Sequence, residues 1–441
     1  MKKSLDFAAL GLFDARVPRY TSYPPATKFA DSVGADEMAG WLSAIDPGAQ
    51  ISLYVHVPFC RRLCWFCACR TQGTATAKPL RAYLDTLKAE IALVRARLPE
   101  GITLSRLHWG GGTPTLLPAE MITELASALA DAFPFAEGYD FSVEIDPCEI
   151  DAARMDALAA AGMTRVSVGV QDFDPQVQAT IGRIQSFDET AAAIRMARDA
   201  GVHSVNTDLL FGLPHQDHAT MTATLHHLMA LAPDRIALYG YAHVPWMARR
   251  QNLIPTEALP SPEGRLALFE LAETLLVADG FEPIGIDHFA LPSDSMAKAA
   301  KAGTLRRNFQ GYTDDPAAAL IGLGASAISQ LPQGYAQNDP STAGYTAAVR
   351  DGVLATARGH VLSDDDRLRG RLIERLMCDF AAKAESPAER AALQEAALAF
   401  PDAVEFDGAK LVIHDEAHPL ARLLAHHIDA YATTGRHAPA I

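Results

Sequence analysis

Cysteine is scarce in this sequence: there are 6 in 441 residues, yet four of them fall between residues 60 and 69. The other two, Cys148 and Cys378, stand alone. A structural zinc site usually draws its ligands as two separated pairs that tie two loops together, and no second pair exists here. Long apolar runs are missing as well, since none approaches the length of a membrane span. The opening MKKSLDFAALGLFDARV has the basic start of a secretory leader, at Lys2 and Lys3. Asp6 interrupts its short apolar run, and Asp14 and Arg16 follow without a small-residue cleavage site. A cytoplasmic protein with no membrane partner is expected. In a reducing compartment, clustered cysteines serve metal or redox chemistry more often than disulfides. Positive charge is in deficit, with a formal net charge of −15. That counts against a general nucleic-acid binder, which carries a basic surface.

What is present is enough apolar residue, 49%, for a large core and one or two smaller units. From residue 51 a pattern repeats: a short apolar or β-branched run, polar or glycine residues, then apolar residues at helical spacing. Strands are expected at 51–59, 104–112, 141–147, 165–171, 203–212 and 235–242. Helices are expected at 77–98, 118–133, near 151–161, at 186–201, near 218–231 and near 262–279. Ser186 and Glu189 are placed for a capping box. Six strand–helix units in a row predict a parallel sheet with right-handed crossovers. The run 284–290 adds at most one further strand, so the count favours an incomplete, six-unit barrel over a full eight. Around 334–360 the pattern lapses. Helices then follow from Ser363, at 389–400 and at 418–431, with a hairpin at 404–414 turning at Asp407-Gly408. The expected division is an N-terminal arm (1–35) lying over the active site, a barrel (36–345) and a mainly helical C-terminal domain (346–441).

The expected strand ends carry polar residues: Tyr54, the glycines 110–112 with Thr113, Glu144 and Asp146, Gln171 and Asp172, Asp208, and Tyr241 with His243. Each alone is explained by capping or loop bonding. Six in a row on one rim of a parallel barrel point to a site. The run GGGTP lacks the GxGxxG spacing and the P-loop lysine, so neither dinucleotide nor nucleotide triphosphate binding is supported. Taken alone it is explained by a tight strand-to-helix turn. Cys60, Cys64 and Cys67 form C-x3-C-x2-C, and Cys69 adds C-x-C. A cubane iron–sulfur cluster wants a ligand on each of its irons. Three thiolates on one loop leave one iron open for a small molecule.

This spacing, behind a strand at the head of a barrel, resembles the radical S-adenosylmethionine (SAM) superfamily. YVHVPFCRRLCWFCAC (54–69) resembles the oxygen-independent coproporphyrinogen III oxidases in particular. So do PRYTSYP from residue 18, HWGGGTPT (108–115), SVEIDP (142–147), SVGVQDF (167–173), NTDLLFGLP (206–214), YGYAHVPW (239–246), RNFQGYT (307–313), IGLGASAIS (321–329) and YAQN (335–338). The resemblance covers nearly the whole chain. It implies an incomplete (β/α)6 TIM-like barrel and a [4Fe–4S] cluster on Cys60, Cys64 and Cys67, with SAM on the open iron. It implies that a 5′-deoxyadenosyl radical takes a hydrogen from the β-carbon of a propionate. Loss of CO2 and an electron then leaves a vinyl group, twice over, giving protoporphyrinogen IX. By matching motifs, Tyr54, Gly111, Glu144 and Ile328 would contact this SAM. Phe66, Gly112, Thr113, Gln171, Arg183, Asp208 and Ala242 would contact a second SAM. Cys69 binds no iron on this reading; it either packs beside the loop or serves as an active-site thiol. The implied partners are a porphyrinogen and a reductant such as flavodoxin or ferredoxin, and a monomer is expected. A non-catalytic haem-delivery relative is the alternative. Gly182, Cys148 and GYTDD (311–315) depart from the family pattern, where asparagine, arginine and a second threonine are common. A tetracarboxylate substrate needs cations, for which Arg19, Arg249 and Arg250 are candidates.

Overall fold

The computed structural model describes residues 5–432 and 437–441. Lys2, Lys3 and the first four residues of the expected arm lie outside them. Six parallel strands follow in chain order: β1 (Gln50–Val57), β2 (Thr103–Gly111), β3 (Phe135–Ile145), β4 (Arg165–Gln171), β5 (Ser204–Phe211) and β6 (Arg235–Gly240). Each pairs with the next in parallel. They form because alternate residues face a helix layer. In β4, Val166, Val168 and Val170 are buried, while the residues between them are less so. The helix Lys78–Arg95, which follows β1, buries Leu80, Leu84, Leu87, Ile91 and Val94 in the same way. Each such side chain stabilises by about 1.5–3 kcal/mol when fully buried.

The sheet does not stop at six strands. The run 284–290 is not one strand but part of a hairpin, β7 (Glu282–Ile284) and β8 (His288–Ala290), antiparallel to each other, with β8 also antiparallel to β6. On the far side, β9 (Leu320–Leu323) lies parallel to β1. Then β10 (Ile328–Leu331), β11 (Gly334–Asn338) and β12 (Thr356–Val361) follow antiparallel. The full order is β12-β11-β10-β9-β1-β2-β3-β4-β5-β6-β8-β7. The two edges do not pair with each other, so the barrel stays open. The pattern thus does not lapse at 334–360, where two strands flank the helix Thr342–Arg350. The large sheet runs to Val361, beyond the junction expected at 345/346. A short helix, Pro175–Ile181, also escaped the sequence pattern.

A second core joins three helices (Asp364–Asp379, Pro387–Ala399 and Ala421–Ile428) to a small antiparallel sheet. The sheet holds β13 (Ala381–Lys383), β14 (Val404–Phe406) and β15 (Lys410–Ile413). The hairpin turns at Asp407-Gly408, with Gly408 at φ +91° and the Asp407 carboxylate accepting from the Ala409 and Lys410 amides. Leu12, Val17, Tyr20 and Tyr23 of the N-terminal arm belong to this C-terminal core.

Candidate active site

The barrel lumen is polar. Pleating turns alternate residues inward, and neighbouring strands align them in layers. Ser52, Arg106 and Asp140 are neighbours in the lowest layer. Tyr54, His108 and Ser142 form the next. Above them lie Glu144, Gly169 and Asp208 on adjacent strands. A cavity of about 440 Å³ opens from these layers to the cysteine loop. It brings together Cys60, Cys64, Phe66, Cys67, Cys69, Gly111, Gly112, Thr113, Glu144, Gln171, Arg183 and Asp208. Three of the residues expected at the site do not line it. Tyr54 lies behind His108, stacked on its ring at 5.7 Å. Ala242 lines a different cavity, and its carbonyl accepts from Gln251. Ile328 sits in β10, with its backbone against Gly322.

The cysteine loop is held from several sides. Phe59–Cys60 pairs with Gln72–Gly73 and closes its neck. The Trp65 amide donates to Ile181, Arg62 to Ile184 and Gln251 to the Phe66 carbonyl. Arg250 donates to the Cys69 carbonyl and the Thr71 hydroxyl, so this candidate cation braces the loop. Gly182 has φ +67°, and a Cβ there would come 2.8 Å from the Trp65 ring. The departure at 182 therefore gives Trp65 its seat. All six cysteines are free thiols. Burial pushes the Cys60 thiol up to about 11. Cys67 is held down at about 6, because the Cys69 thiol and amide both donate to its sulfur. Cys69, the donor, is pushed well above its ordinary value by that bond and by the neighbouring thiolate. Arg183 donates to the Cys64 sulfur at 3.6 Å and pairs with Asp146 at 3.3 Å.

Opposite the loop, Glu144 accepts from His108 at 3.1 Å and from the Gly111 amide at 3.0 Å. Burial raises its pKa, but these bonds outweigh it and leave Glu144 below its ordinary value. Asp208 is pushed up to about 6, by burial first and the Glu144 charge second, despite bonds from Ser167 and Asn206. The glycine run has a packing reason at every position. A Cβ would meet the Glu144 carboxylate at 2.5 Å from Gly110, the His56 ring at 2.4 Å from Gly111, and the Phe59 carbonyl at 2.6 Å from Gly112. Gln171 sits at φ +68°, a strained region for a side chain other than glycine. Asp172, also at this strand end, is fully buried and accepts from Gln216 and Thr224. Several residues of the site escaped the sequence reading: His56, His108, Tyr239 and His288. The signal for His108 was a polar residue at an inward position of an otherwise apolar strand.

The donor set fits an iron–sulfur cluster. Three thiols of one braced loop face the cavity, and the pKa of Cys67 is held below its ordinary value. Among the described residues, no three His, Cys, Asp or Glu side chains are grouped to hold a single metal ion.

A family model described as the Radical SAM superfamily matches residues 54–228. The oxygen-independent coproporphyrinogen III oxidase of Paracoccus denitrificans is 58% identical over 440 residues, covering 98% of each chain. That of Cereibacter sphaeroides is 55% identical over 443 residues, again with 98% of each chain covered. The solved structure of coproporphyrinogen III oxidase HemN from Escherichia coli, a radical SAM enzyme, is similar with a TM-score of 0.90. Its sequence identity is 35%, over 98% of this chain and 100% of that one.

Proposed function

The chain belongs to the oxygen-independent coproporphyrinogen III oxidases of the radical SAM superfamily, and from that membership we propose how its residues share the reaction. The enzyme converts two propionate side chains of coproporphyrinogen III to vinyl groups, giving protoporphyrinogen IX. When bound, a [4Fe–4S] cluster and SAM supply the 5′-deoxyadenosyl radical that takes a hydrogen from a propionate β-carbon before CO2 and one electron leave.

Cys60, Cys64 and Cys67 hold the cluster, and Arg183 steadies Cys64 from outside it. Cys69 stands outside this set, with its amide donating to the Cys67 sulfur. Glu144 and Gly111 bind the cluster-side SAM, with Tyr54 orienting His108 behind Glu144. A carboxylate accepts from ribose hydroxyls or an ammonium and favours a nearby sulfonium. Phe66, Gly112, Thr113, Gln171, Arg183 and Asp208 bind a second SAM. Ala242 and Ile328 stand outside the cavity and support its walls through backbone. The walls of the lumen would keep water and stray hydrogen donors from the radical. The enzyme works as a cytoplasmic monomer, with a flavodoxin- or ferredoxin-type reductant; no helix among the described residues is long and apolar enough to cross a membrane.

The observation that carries this reading is three free thiols on one braced loop, facing Glu144 and Asp208 across a polar cavity. The test is an anaerobic assay with coproporphyrinogen, SAM and a reductant. The expected result is methionine, two equivalents of CO2 and a divinyl product. Methionine without CO2 would move the enzyme to another substrate. Tight haem binding with neither product would favour the haem-delivery alternative, which none of the relatives named above supports.

A further inference from the structure

The barrel and the C-terminal unit enclose a second cavity, of about 620 Å³. Three guanidinium groups line it: Arg19 from the arm, Arg265 from the helix Pro262–Ala278 and Arg422 from the helix Ala421–Ile428. Arg265 and Arg422 are only 8% and 9% exposed. Buried cations are ordinarily paired with carboxylates. Arg19 and Arg422 donate to backbone carbonyls instead. Arg19 donates to Gly240, Arg265 to Ile441, and Arg422 to Val17, Pro18, Pro439 and Ala440. Glu416 aside, no Asp or Glu side chain among the described residues makes an ion pair with any of the three.

The nearby acid that favours the charge on Arg19 and Arg422 is Asp287. It is already held by His288 at 2.7 Å and Arg307 at 3.4 Å. Arg307 is itself buried, and its Nε has no partner. Burial, reinforced by the charge on Arg19, lowers Arg265 to about 10 and Arg422 to about 9. The cavity is therefore short of negative charge at its inner wall. The acids Glu270, Asp415 and Glu416 also line it, but they are exposed at its outer edge, where water screens them; Glu273 is half-buried. Phe211, Phe269 and Phe380 supply apolar wall. Two motif glycines make room for the cation: a Cβ at Gly212 would come 2.7 Å from Arg265 Nη1, and one at Gly240 3.2 Å from its Nη2.

We propose that this cavity is a second binding site, for a porphyrin-class tetracarboxylate, with propionates received by Arg19, Arg265 and Arg422 and the ring against the phenylalanines. The inference rests on the proposed function, which supplies the ligand class. The site backs onto the cysteine cavity: Tyr239 and His288 face that cavity, while their chain neighbours Gly240 and Asp287 face this one. A substrate held here waits one strand's thickness from the chemistry.

The test is a fluorescence titration of the anaerobic holoenzyme with coproporphyrin III, the oxidised tetracarboxylate. Its tetramethyl ester should bind at least tenfold more weakly, and protoporphyrin IX, with two carboxylates, should also bind more weakly. Arg265→Gln should lower coproporphyrin affinity about tenfold or more, as the loss of charged hydrogen bonds implies. Arg265→Lys should recover part of it. Iron content and melting temperature confirm that the variants fold, and the ester comparison needs no variant. Equal binding of the ester, tighter binding of protoporphyrin IX, or an unchanged affinity in Arg265→Gln would overturn the site. Vinyl product formed without this binding sinks the second site alone; binding without product sinks the oxidase reading alone.

Discussion

Cys69 differs from its three neighbours in what it bonds. Its amide donates to the Cys67 sulfur, so on the proposed reading it would tune a cluster ligand rather than add one. Cys67→Ala should lose both the iron absorbance and methionine formation. Cys69→Ala should keep about four irons per chain, the cubane count, while vinyl product falls; iron loss equal to that of Cys67→Ala would place Cys69 among the ligands. Glu144 offers a second prediction. Glu144→Gln keeps an acceptor but removes the charge that, on the proposed reading, would face the sulfonium. Bonds to a charged group are worth about 1.5–3 kcal/mol, so SAM affinity should fall about 10- to 100-fold by equilibrium binding. At this scale the cysteines were legible because thiol spacing on a short loop is local information. Tyr54, Ala242 and Ile328 were expected by motif to contact SAM, and none of the three lines the cavity. Ala242 lies just past the last residue of β6, where strand alternation no longer dictates where a residue faces. The tilt of the Tyr54 ring behind His108 depends on a neighbouring strand, which no local pattern encodes.

Elements carry their own predictions. Gly111 at the end of β2 has φ +107° and no room for a Cβ beside His56. Gly111→Ala should cost about 1–3 kcal/mol of overpacking and strain and displace His56 from Tyr54, read as a lower urea midpoint with reduced activity. Glu90 of the helix Lys78–Arg95 ties that helix to the β9–β11 edge. It accepts from the Gly324 amide, Asn338 and the Tyr345 hydroxyl. Burial raises its pKa from 4.5 to about 7. A raised carboxyl binds its proton more tightly in the folded state, so its stabilisation is full below about 4.5 and is lost as pH rises through 7. The loss amounts to about 3 kcal/mol across that window. Urea midpoints of the wild type should therefore fall from pH 5 to 7.5 more steeply than those of Glu90→Gln. Strands β1–β6 and their helices were legible because each buries one face on a long periodic helix. Strands β9–β12 were not. In β11 all five residues are buried, and Gln337 and Asn338 are satisfied by Arg358 and Glu90 rather than by water. Burial on both faces erases the alternation that marks a strand.

At the scale of the whole molecule, the arm is sealed by contacts some 400 positions away. The Tyr20 hydroxyl donates to Asp429 at 3.0 Å, and its oxygen lies 3.2 Å from His426 Nδ1. Tyr20→Phe leaves Asp429 buried without that donor, which should cost about 1–3 kcal/mol. Its urea midpoint should drop while iron content stays normal. The presence of an arm, a barrel and a helical unit was legible in proline placement and in changes of periodicity. Where the arm docks was not, because the pairing spans nearly the full chain.

That docking has a consequence for biogenesis. A ribosome makes the arm some 400 residues before its seat, since Tyr20 waits for Asp429 and Arg16 for Pro439. Until the final helix emerges, Leu12, Val17 and Tyr23 have no core to enter. A nascent chain therefore carries an exposed apolar leading segment through most of its synthesis, a state that attracts chaperones and invites aggregation. A translation product cut short before residue 421 never loses that segment to a core, and its arm is the stretch by which proteases would single it out.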